Sequence, residues 1–345
     1  MKILIIGPSW IGDMMMSQSL YRYLVQYYDT VKIDVMAPKW SLPLLKHMPE
    51  INQIFEIPLN HGTLALDKRY RLGKSLRKET YQQAIVLPNS FKSAIIPFFA
   101  NIPQRTAWRG EMRYGIINDL RKLDKKAFPL MVQRYAALAF ENKKIRDASE
   151  LPNPLLWPRI MVSNEDKELA LKTFFLKNPY PLIGFCPGAE FSLAKCWPDY
   201  HYATLAKKLI HCGYQIALFG SIKNRATGKE IRFSLTEDIQ KYCHNLMGTT
   251  SLEEVISLIA ACHAVVSNDS GLMHIASALS RPLVALYGPT SPNFTPPLSH
   301  QARVIRPVRG YHKIRQGNKK KDYHQSLIAI KPDQVFRTLS SLLVS

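Results

Sequence analysis

Short apolar runs rich in β-branched residues alternate with helix-like segments along this chain, and this alternation limits the folds it can adopt. In the first half the apolar runs are Lys2–Ile6, Val31–Met36, Ile54–Ile57 and Ala84–Leu87. The segments with helical character between them are Ser17–Tyr28, Leu42–Met48 and Tyr70–Glu79. Strands that alternate with helices usually pair in parallel and are covered by helices on both faces. The pattern therefore predicts a doubly wound α/β domain.

A second series of the same kind follows a proline-rich break between Pro152 and Pro158. Its predicted strands are Leu182–Cys186, Gln215–Phe219, Ala264–Ser267 and Leu283–Tyr287, and its predicted helices are Ser163–Phe175, Tyr202–His211 and Leu252–Ala261. Ser251 and Glu254 have the spacing of a capping box at the start of the last helix. We therefore predict two Rossmann-like domains, 1–160 and 161–330, followed by a C-terminal helix over 331–345 that packs back across them.

Composition indicates a folded protein that meets anionic partners. The chain has 345 residues, of which 46% are hydrophobic and 21% charged, which excludes a peptide-sized module and a largely disordered chain. Its 46 Lys and Arg against 26 Asp and Glu give a net charge of +20, and both halves are basic. This charge leaves open nucleic acid, an anionic membrane surface and phosphorylated small molecules as partners.

Cysteine usage and hydropathy favour a cytoplasmic protein. The five cysteines are odd in number, lie in the second half and never occur as C-x-x-C, which argues against a disulfide framework or a zinc ribbon. The N-terminal apolar run is too short for a signal peptide, and no stretch approaches the roughly 18 apolar residues of a membrane span. We expect a cytosolic location without a spanning segment.

In doubly wound sheets, ligands bind at the carboxyl ends of the strands, so the loops that follow the strands are the candidate sites. The first such loop, Gly7–Asp13, ends in a carboxylate at a predicted helix start. Asp13 has two interpretations of about equal weight, a helix cap or a functional carboxylate. The loop lacks G-x-G-x-x-G, which disfavours a dehydrogenase.

Two loops of the second domain are suited to a phosphorylated ligand. Ser192 and Lys195 follow its first strand and could bind an anionic oxygen, although loop lysines are more often merely solvated. Asp269 or Ser270 could cap a helix whose first N–H groups hold a diphosphate. His274, one turn into that helix, is more often a packing residue than a catalyst.

The other candidates are weaker. Asn89, Ser90 and Lys92 follow a strand of the first domain and either bind a polar acceptor or form a simple polar turn. Met247 either lies against an adenine or packs in the core. The chain contains no D-x-D pair of the kind that holds a nucleotide diphosphate through a divalent cation, so no metal site is predicted.

Several of these segments together resemble the ADP-heptose:lipopolysaccharide heptosyltransferases of glycosyltransferase family nine. The resemblance is carried, in order along the chain, by Trp10–Met14 with Ser17–Leu20, Asn89–Ser93, Cys186–Phe191, Ala194-Lys195, Asn268–His274 and Tyr287–Pro292. It runs from residue 1 to the Tyr323–Leu327 segment, which is nearly the whole chain.

The resemblance implies a GT-B fold, in which two Rossmann-like domains face a central cleft, and an inverting transfer that needs no metal and no cofactor. The implied donor is ADP-L-glycero-D-manno-heptose, and the implied acceptor is the heptosyl-Kdo-lipid A inner core, at the cytoplasmic face of the inner membrane. The match favours addition to the first heptose. Addition of the first or a third heptose is the alternative within the family, and a basic nucleic-acid-binding protein or a non-catalytic nucleotide-binding protein is the alternative from another class.

The resemblance also implies residue roles. Asp13 is the general base for the acceptor hydroxyl, and Lys195 and Ser192 face the diphosphate. Ser270 and Gly271 bind phosphate through their backbone. The remaining donor contacts are Asp269 with the sugar, Met247 near the adenine, and His274, while Asn89, Ser90 and Lys92 bind the acceptor.

Two positions depart from the family pattern. Cys196 stands where relatives often have Arg, and Lys223-Asn224-Arg225 stands where relatives often have an acidic residue for the ribose.

Overall fold

The computed structural model describes residues 1–59, 62–142, 144–176, 179–189, 193–307 and 323–343. The chain divides into two compact units, Met1–Pro158 and Arg159–Ser345, so the division falls at the proline-rich break. Each unit has its own six-stranded parallel sheet.

The first unit is a doubly wound α/β sheet in the strand order β3-β2-β1-β4-β5-β6. Its strands are β1 Lys2–Ile6, β2 Lys32–Ala37, β3 Ile51–Glu56, β4 Gln83–Val86, β5 Gln104–Trp108 and β6 Asp119–Arg121. Its helices are α1 Ile11–Tyr27, α2 Leu42–Leu45, α3 Leu66–Ser75, α4 Phe91–Phe99 and α5 Met131–Ala136. The central strands β1 and β4 are buried nearly along their whole length, as expected where helices cover both faces.

The second unit repeats this topology in the order β12-β11-β10-β7-β8-β9. Its strands are β7 Leu182–Cys186, β8 Gln215–Leu218, β9 Cys243–Asn245, β10 Ala264–Asn268, β11 Leu283–Leu286 and β12 Ala302–Ile305. Its helices are α6 Asn164–Thr173, α7 Asp199–His211, α8 Arg225–Phe233, α9 Glu237–Gln240, α10 Leu252–Ala261, α11 Gly271–Ala278, α12 Gln325–Ile328 and α13 Pro332–Leu343. The prediction of two Rossmann-like sheets is confirmed.

Strand order creates one topological switch point in each unit. In the first sheet the chain runs outward from β1 in one direction and from β4 in the other, and in the second sheet the same reversal lies between β10 and β7. A crevice opens at the carboxyl ends of two such strands, where their connections leave in opposite directions. The loops after β1, β4, β7 and β10 are therefore the positions at which a ligand is expected.

The last helix, α13, packs against α7, β10 and β11 of its own unit. Val335 and Leu339 are buried in the core of that unit. The side chain of Trp197 is buried in the same core and donates from its indole nitrogen to the carbonyl of Ile330 over 2.9 Å, which ties the segment before α13 to the loop before α7. That α13 also reaches the first unit stays a prediction.

Candidate active site

Asp13 is the third residue of α1, directly after the loop that leaves β1. The N-cap of α1 is Trp10, whose side chain makes no capping hydrogen bond. The first turn closes through the backbone, with the N–H of Met14 donating to the carbonyl of Trp10 over 2.8 Å. The interpretation of Asp13 as the cap is therefore wrong, because the carboxylate accepts none of the helix N–H groups that a cap would satisfy.

Burial, and not a neighbouring charge, sets the acidity of Asp13. The side chain is half-buried, and within the described part of the chain it has neither a hydrogen bond nor an ion pair. Desolvation raises the pKa of its carboxyl to about 6. A carboxylate with a raised pKa and a free lone pair is well suited to accept a proton from a hydroxyl group.

The wall beside Asp13 is formed by α5, which packs against α1. Tyr135 on α5 is buried, and the nearby charge of Asp13 adds to the burial that raises the pKa of this phenol. Tyr21 lies about two turns after Asp13 on α1. It is also buried, and its hydroxyl oxygen lies 2.9 Å from that of Ser17. Sequence reasoning missed Tyr135, because Met131–Ala136 is too short to show helical periodicity.

The loop after β4 and the first turn of α4 contain the predicted acceptor residues. Asn89 is exposed, and Ser90 and Lys92 are half-buried, so all three side chains are reachable by a ligand. Ser90 is the N-cap of α4, but its hydroxyl makes no capping bond. The carboxylate of Glu111 instead accepts the N–H of Phe91 over 2.7 Å and so caps α4 from another loop.

A buried arginine lies beneath this loop. Arg113 has no exposed surface, and its guanidinium donates to the carbonyls of Pro88 and Trp108 over 2.7 and 2.6 Å. The sequence contains no signal that separates Arg113 from the many solvated basic residues around it.

In the second unit, the loop after β7 ends in a single 3₁₀ turn, Leu193–Lys195, which precedes α7. Lys195 is half-buried, and none of the ion pairs among the described residues involves it. Its charge is therefore available to an anionic ligand. Ser192 lies outside the described residues. Cys196 is buried, which raises the pKa of its thiol to about 11, so it packs as a neutral side chain.

The buried amide of Asn268, the last residue of β10, ties the two loops at this switch point together. Its oxygen accepts the backbone N–H of Trp197 over 3.0 Å and the hydroxyl of Tyr202 over 3.2 Å. Its nitrogen donates to the carbonyl of Pro187 over 2.7 Å. Asn268 thus fixes both ends of the loop that carries Lys195. A polar residue closing an apolar strand was the available signal for it, but sequence reasoning gave it no role.

The loop after β10 leads directly into α11. Ser270 is the N-cap, but its side chain makes no capping bond, and its hydroxyl lies 3.3 Å from that of Ser267. Among the described residues, no side chain accepts the N–H groups of the first turn, which starts at Gly271. Asp269 is half-buried beside this turn. Positive potential at a helix N-terminus and unused N–H groups are suited to a phosphate.

His274 and Met247 lie deeper than the other predicted donor contacts. His274 is 6% exposed, and burial lowers the pKa of its imidazole. The charge of Asp269 acts in the opposite direction but is the smaller effect, so the ring stays neutral. Met247 is fully buried and belongs to the core of the second unit, so its side chain matches the core-packing alternative. Asn224, in the region expected to meet the ribose, accepts the hydroxyl of Ser221 over 3.1 Å.

Within the described ranges, no three His, Cys, Asp or Glu side chains are grouped closely enough to hold a metal ion. No described helix has the length and apolar character needed to cross a bilayer.

The chain is similar in sequence and in structure to proteins of a heptosyltransferase family. The sequence model of glycosyltransferase family 9 (heptosyltransferase) matches residues 69–324. The chain is 62% identical to lipopolysaccharide heptosyltransferase 2 of Salmonella typhimurium over 99% of both chains. Its structure matches that of ADP-heptose lps heptosyltransferase II of E. coli with a TM-score of 0.92 and 56% identity, covering 100% of this chain and 99% of the other.

Relatives named heptosyltransferase 1 or 3 are less similar to this chain in sequence. Lipopolysaccharide heptosyltransferase 1 of Campylobacter coli is 24% identical over 84% of both chains. Lipopolysaccharide heptosyltransferase 3 of E. coli is 25% identical over 83% of this chain and 82% of its own. The full-length match, the two doubly wound sheets and the loops at their switch points lead to one conclusion: the chain belongs to glycosyltransferase family 9, the heptosyltransferases.

Proposed function

We propose that this chain is the lipopolysaccharide heptosyltransferase that transfers L-glycero-D-manno-heptose from ADP-heptose to the first heptose of the inner core. The observation that carries this proposal is the 62% identity to a heptosyltransferase 2 over essentially the whole of both chains. Addition of the first or third heptose has less support, because the relatives with those numbers are 24% and 25% identical.

Asp13 is the proposed general base. The hydroxyl oxygen of the acceptor attacks the anomeric carbon of the donor heptose from the face opposite the diphosphate, which inverts that carbon. A C–O bond forms, the bond to the diphosphate oxygen breaks, and ADP leaves with the electron pair. Asp13 takes the hydroxyl proton, for which its raised pKa of about 6 gives it useful basicity without loss of charge at neutral pH.

The loops of the second unit are proposed to hold the donor. Lys195, and Ser192 by the family resemblance, bind the diphosphate, and the backbone N–H groups of Ser270 and Gly271 bind it at the start of α11. These groups stabilise the negative charge that develops on the leaving ADP, without requiring a metal ion. Asp269 contacts the donor heptose.

The inner positions of the same unit complete the proposed donor site. His274, one turn into α11, is proposed as a further donor contact, with its ring in the neutral form. Met247 borders the adenine through its backbone, because its side chain is committed to the core.

The acceptor is proposed to bind at the loop after β4 of the first unit. Asn89, Ser90 and Lys92 offer an amide, a hydroxyl and an ammonium group, which suit the hydroxyl groups and acidic substituents of a core oligosaccharide. Because this acceptor is linked to lipid A, we also propose that the protein works at the cytoplasmic face of the inner membrane. The net charge of +20 favours its adsorption there.

One assay tests the reaction and its position in core synthesis. The purified protein is incubated with ADP-heptose and with acceptors that carry no, one or two heptoses, and products are identified by mass. We expect one added heptose on the one-heptose acceptor only. Transfer to the heptose-free acceptor would identify a first-heptose enzyme, and ADP binding without any transfer would indicate a non-catalytic nucleotide-binding protein.

A further inference from the structure

Arg113 is a buried cation to which no carboxylate of the described residues is paired. None of the ion pairs among the described residues involves it, and its side chain has no exposed surface. Its Nε is buried without a hydrogen-bond partner. Burial lowers the pKa of the guanidinium, and Glu111 opposes this only through its charge. A buried charge without a counter-ion is costly, so a role that a neutral side chain could not fill is expected for it.

The hydrogen bonds of Arg113 converge on one short segment, Pro88–Ser93, which we term the acceptor loop. One terminal nitrogen donates to the carbonyl of Pro88 over 2.7 Å, and it also lies 3.4 Å from the Ser90 carbonyl and from the Ser93 hydroxyl. The other terminal nitrogen donates to the carbonyl of Trp108 at the end of β5 over 2.6 Å. The planar fork thus joins the acceptor loop to the neighbouring strand.

The segment before Arg113 follows the same loop. The N–H of Glu111 donates to the carbonyl of Asn89 over 3.0 Å, and its carboxylate accepts the N–H of Phe91 over 2.7 Å. Gly110 lies so close that a Cβ there would be 2.2 Å from the Asn89 carbonyl oxygen. Backbone groups on both sides of Asn89 and Ser90 are therefore held by residues 110–113, while the side chain of Asn89 stays exposed and that of Ser90 partly so.

We propose that Arg113, with Glu111 as a second attachment, is the positioning residue of the acceptor site. It holds the acceptor loop in the conformation that presents Asn89, Ser90 and Lys92, and it does not touch the substrate. This inference rests on the proposed acceptor role of that loop. Loss of the clamp should weaken acceptor recognition and leave donor binding intact, because the proposed donor residues belong to the other unit.

The test compares variants of the full-length protein by steady-state kinetics with the one-heptose acceptor. Arg113→Lys keeps the charge but cannot form the planar fork, and Glu111→Ala removes an exposed carboxylate that caps α4. We expect each to raise the acceptor KM by about 10- to 100-fold, as is common when a positioning contact is lost, with the KM for ADP-heptose within about twofold of wild type. Glu111→Gln retains an acceptor oxygen for Phe91 and should restore most of the acceptor KM.

Arg105→Met is the matched control. Arg105 also holds backbone carbonyls in the first unit, those of Ile102 and Ile116, but none in the acceptor loop. It should lower the melting temperature without a change in acceptor KM.

The possible failures of the two proposals are separable. If wild type transfers no heptose, the proposed function fails and the positioning role fails with it. If wild type transfers heptose while folded Arg113→Lys and Glu111→Ala keep a wild-type acceptor KM, only the positioning role is overturned. If Arg113→Lys does not fold, Glu111→Ala and its Gln rescue decide alone, since an exposed side chain can be truncated without loss of the fold. An equal rise in acceptor KM for Arg105→Met would also overturn the proposal, because general loosening of the unit would then explain it.

Discussion

The burial that raises the pKa of Asp13 also lowers the stability of the folded protein when this carboxyl is charged. Desolvation favours the protonated form, so the native protein binds this proton more tightly than the unfolded chain does. Stability from this group is therefore greatest at low pH and declines as the pH rises from 3.8, the ordinary value, through about 6. Neutral pH lies above this pKa, so the carboxyl is mostly ionised there, which is the form that a general base requires.

Asp13→Asn should separate these two effects. The amide cannot accept the proton, so turnover should fall by about 10²- to 10⁴-fold. At pH 8 the variant should melt at or above the wild-type temperature, because it lacks the buried charge, and this advantage should vanish near pH 4. Calorimetry and a discontinuous transfer assay measure the two quantities independently. A folded Asp13→Asn protein with near wild-type turnover would exclude Asp13 as the base.

The wild-type pH profile gives an independent check on the same residue. A base with a pKa of about 6 is lost on protonation, so kcat/KM should decrease as the pH falls through that value. A rate that stays constant from pH 8 to pH 4.5 would assign the proton transfer to another group.

Lys195→Ala removes the charge that is proposed to face the diphosphate. By analogy with the loss of one transition-state donor, kcat should fall by about 10²- to 10³-fold. Lys207→Ala, an exposed lysine on α7, is the control and should have no effect. Equal rates for the two variants would show that Lys195 is an ordinary surface residue.

At the scale of the elements, Asn268 at the end of β10 holds both ends of the loop that contains Lys195. Asn268→Ala leaves the N–H of Trp197 and the carbonyl of Pro187 without their partner, which should destabilise the protein by about 1–3 kcal/mol. Because both ends of the Lys195 loop lose their attachment, ADP affinity should fall as well.

Gln215→Ala distinguishes a local effect of Asn268 from simple destabilisation. Gln215 is a buried amide of the same sheet that bonds the carbonyls of Leu176 and Tyr180, away from the donor loops. It should lower the melting temperature and leave the dissociation constant for ADP, measured by isothermal titration calorimetry, unchanged. Equal losses of ADP affinity in both variants would contradict the local role of Asn268.

Elements with regular patterns were predictable from sequence, and irregular ones were not. The apolar runs of β1 and β7 and the capping box of α10 are confirmed, with Ser251 and Glu254 bonded in both directions. The edge strands β6 and β9 have three residues each and too few apolar side chains to show a period. The helix α4 was missed because it contains Pro97, which normally ends a helix.

The same distinction applies to the candidate site. Loops after buried strands can be located from sequence. The segments after β1, β4, β7 and β10, which contain Asp13, Ser90, Lys195 and Ser270, were therefore located correctly. Arg113 acts through a contact between distant segments, and only the folded chain reveals that it is buried. The Asp13 cap alternative failed because helix α1 begins at Ile11, which makes Trp10 the N-cap and Asp13 the third residue of the helix.

For the whole molecule, the net charge of +20 predicts salt-sensitive adsorption to anionic lipid. In cosedimentation at low salt, the protein should bind vesicles that contain phosphatidylglycerol and should not bind vesicles of phosphatidylcholine alone. Binding should decrease steeply as the salt concentration rises, because the Debye length shortens to about 10 Å at 0.1 M. Equal binding to both lipids, or binding that resists salt, would contradict electrostatic adsorption.

Transfer by the whole enzyme should also continue in EDTA. The proposed donor site stabilises the departing ADP with Lys195 and with the N–H groups of α11, so chelation removes nothing on which the step depends. Rates measured with EDTA and with added Mg²⁺ should agree within error. A chelator-sensitive rate that Mg²⁺ or Mn²⁺ restores would require a metal in the mechanism.

The repeated strand order has an evolutionary consequence. Because residues 1–158 contain one complete sheet and core, and residues 159–345 another, the proposed acceptor and donor loops are subject to separate structural constraints. Substitutions in the acceptor loop can accumulate without disturbing the packing beneath the proposed donor loops. The two-unit architecture therefore allows the acceptor loop to diverge while the proposed donor loops keep their structure.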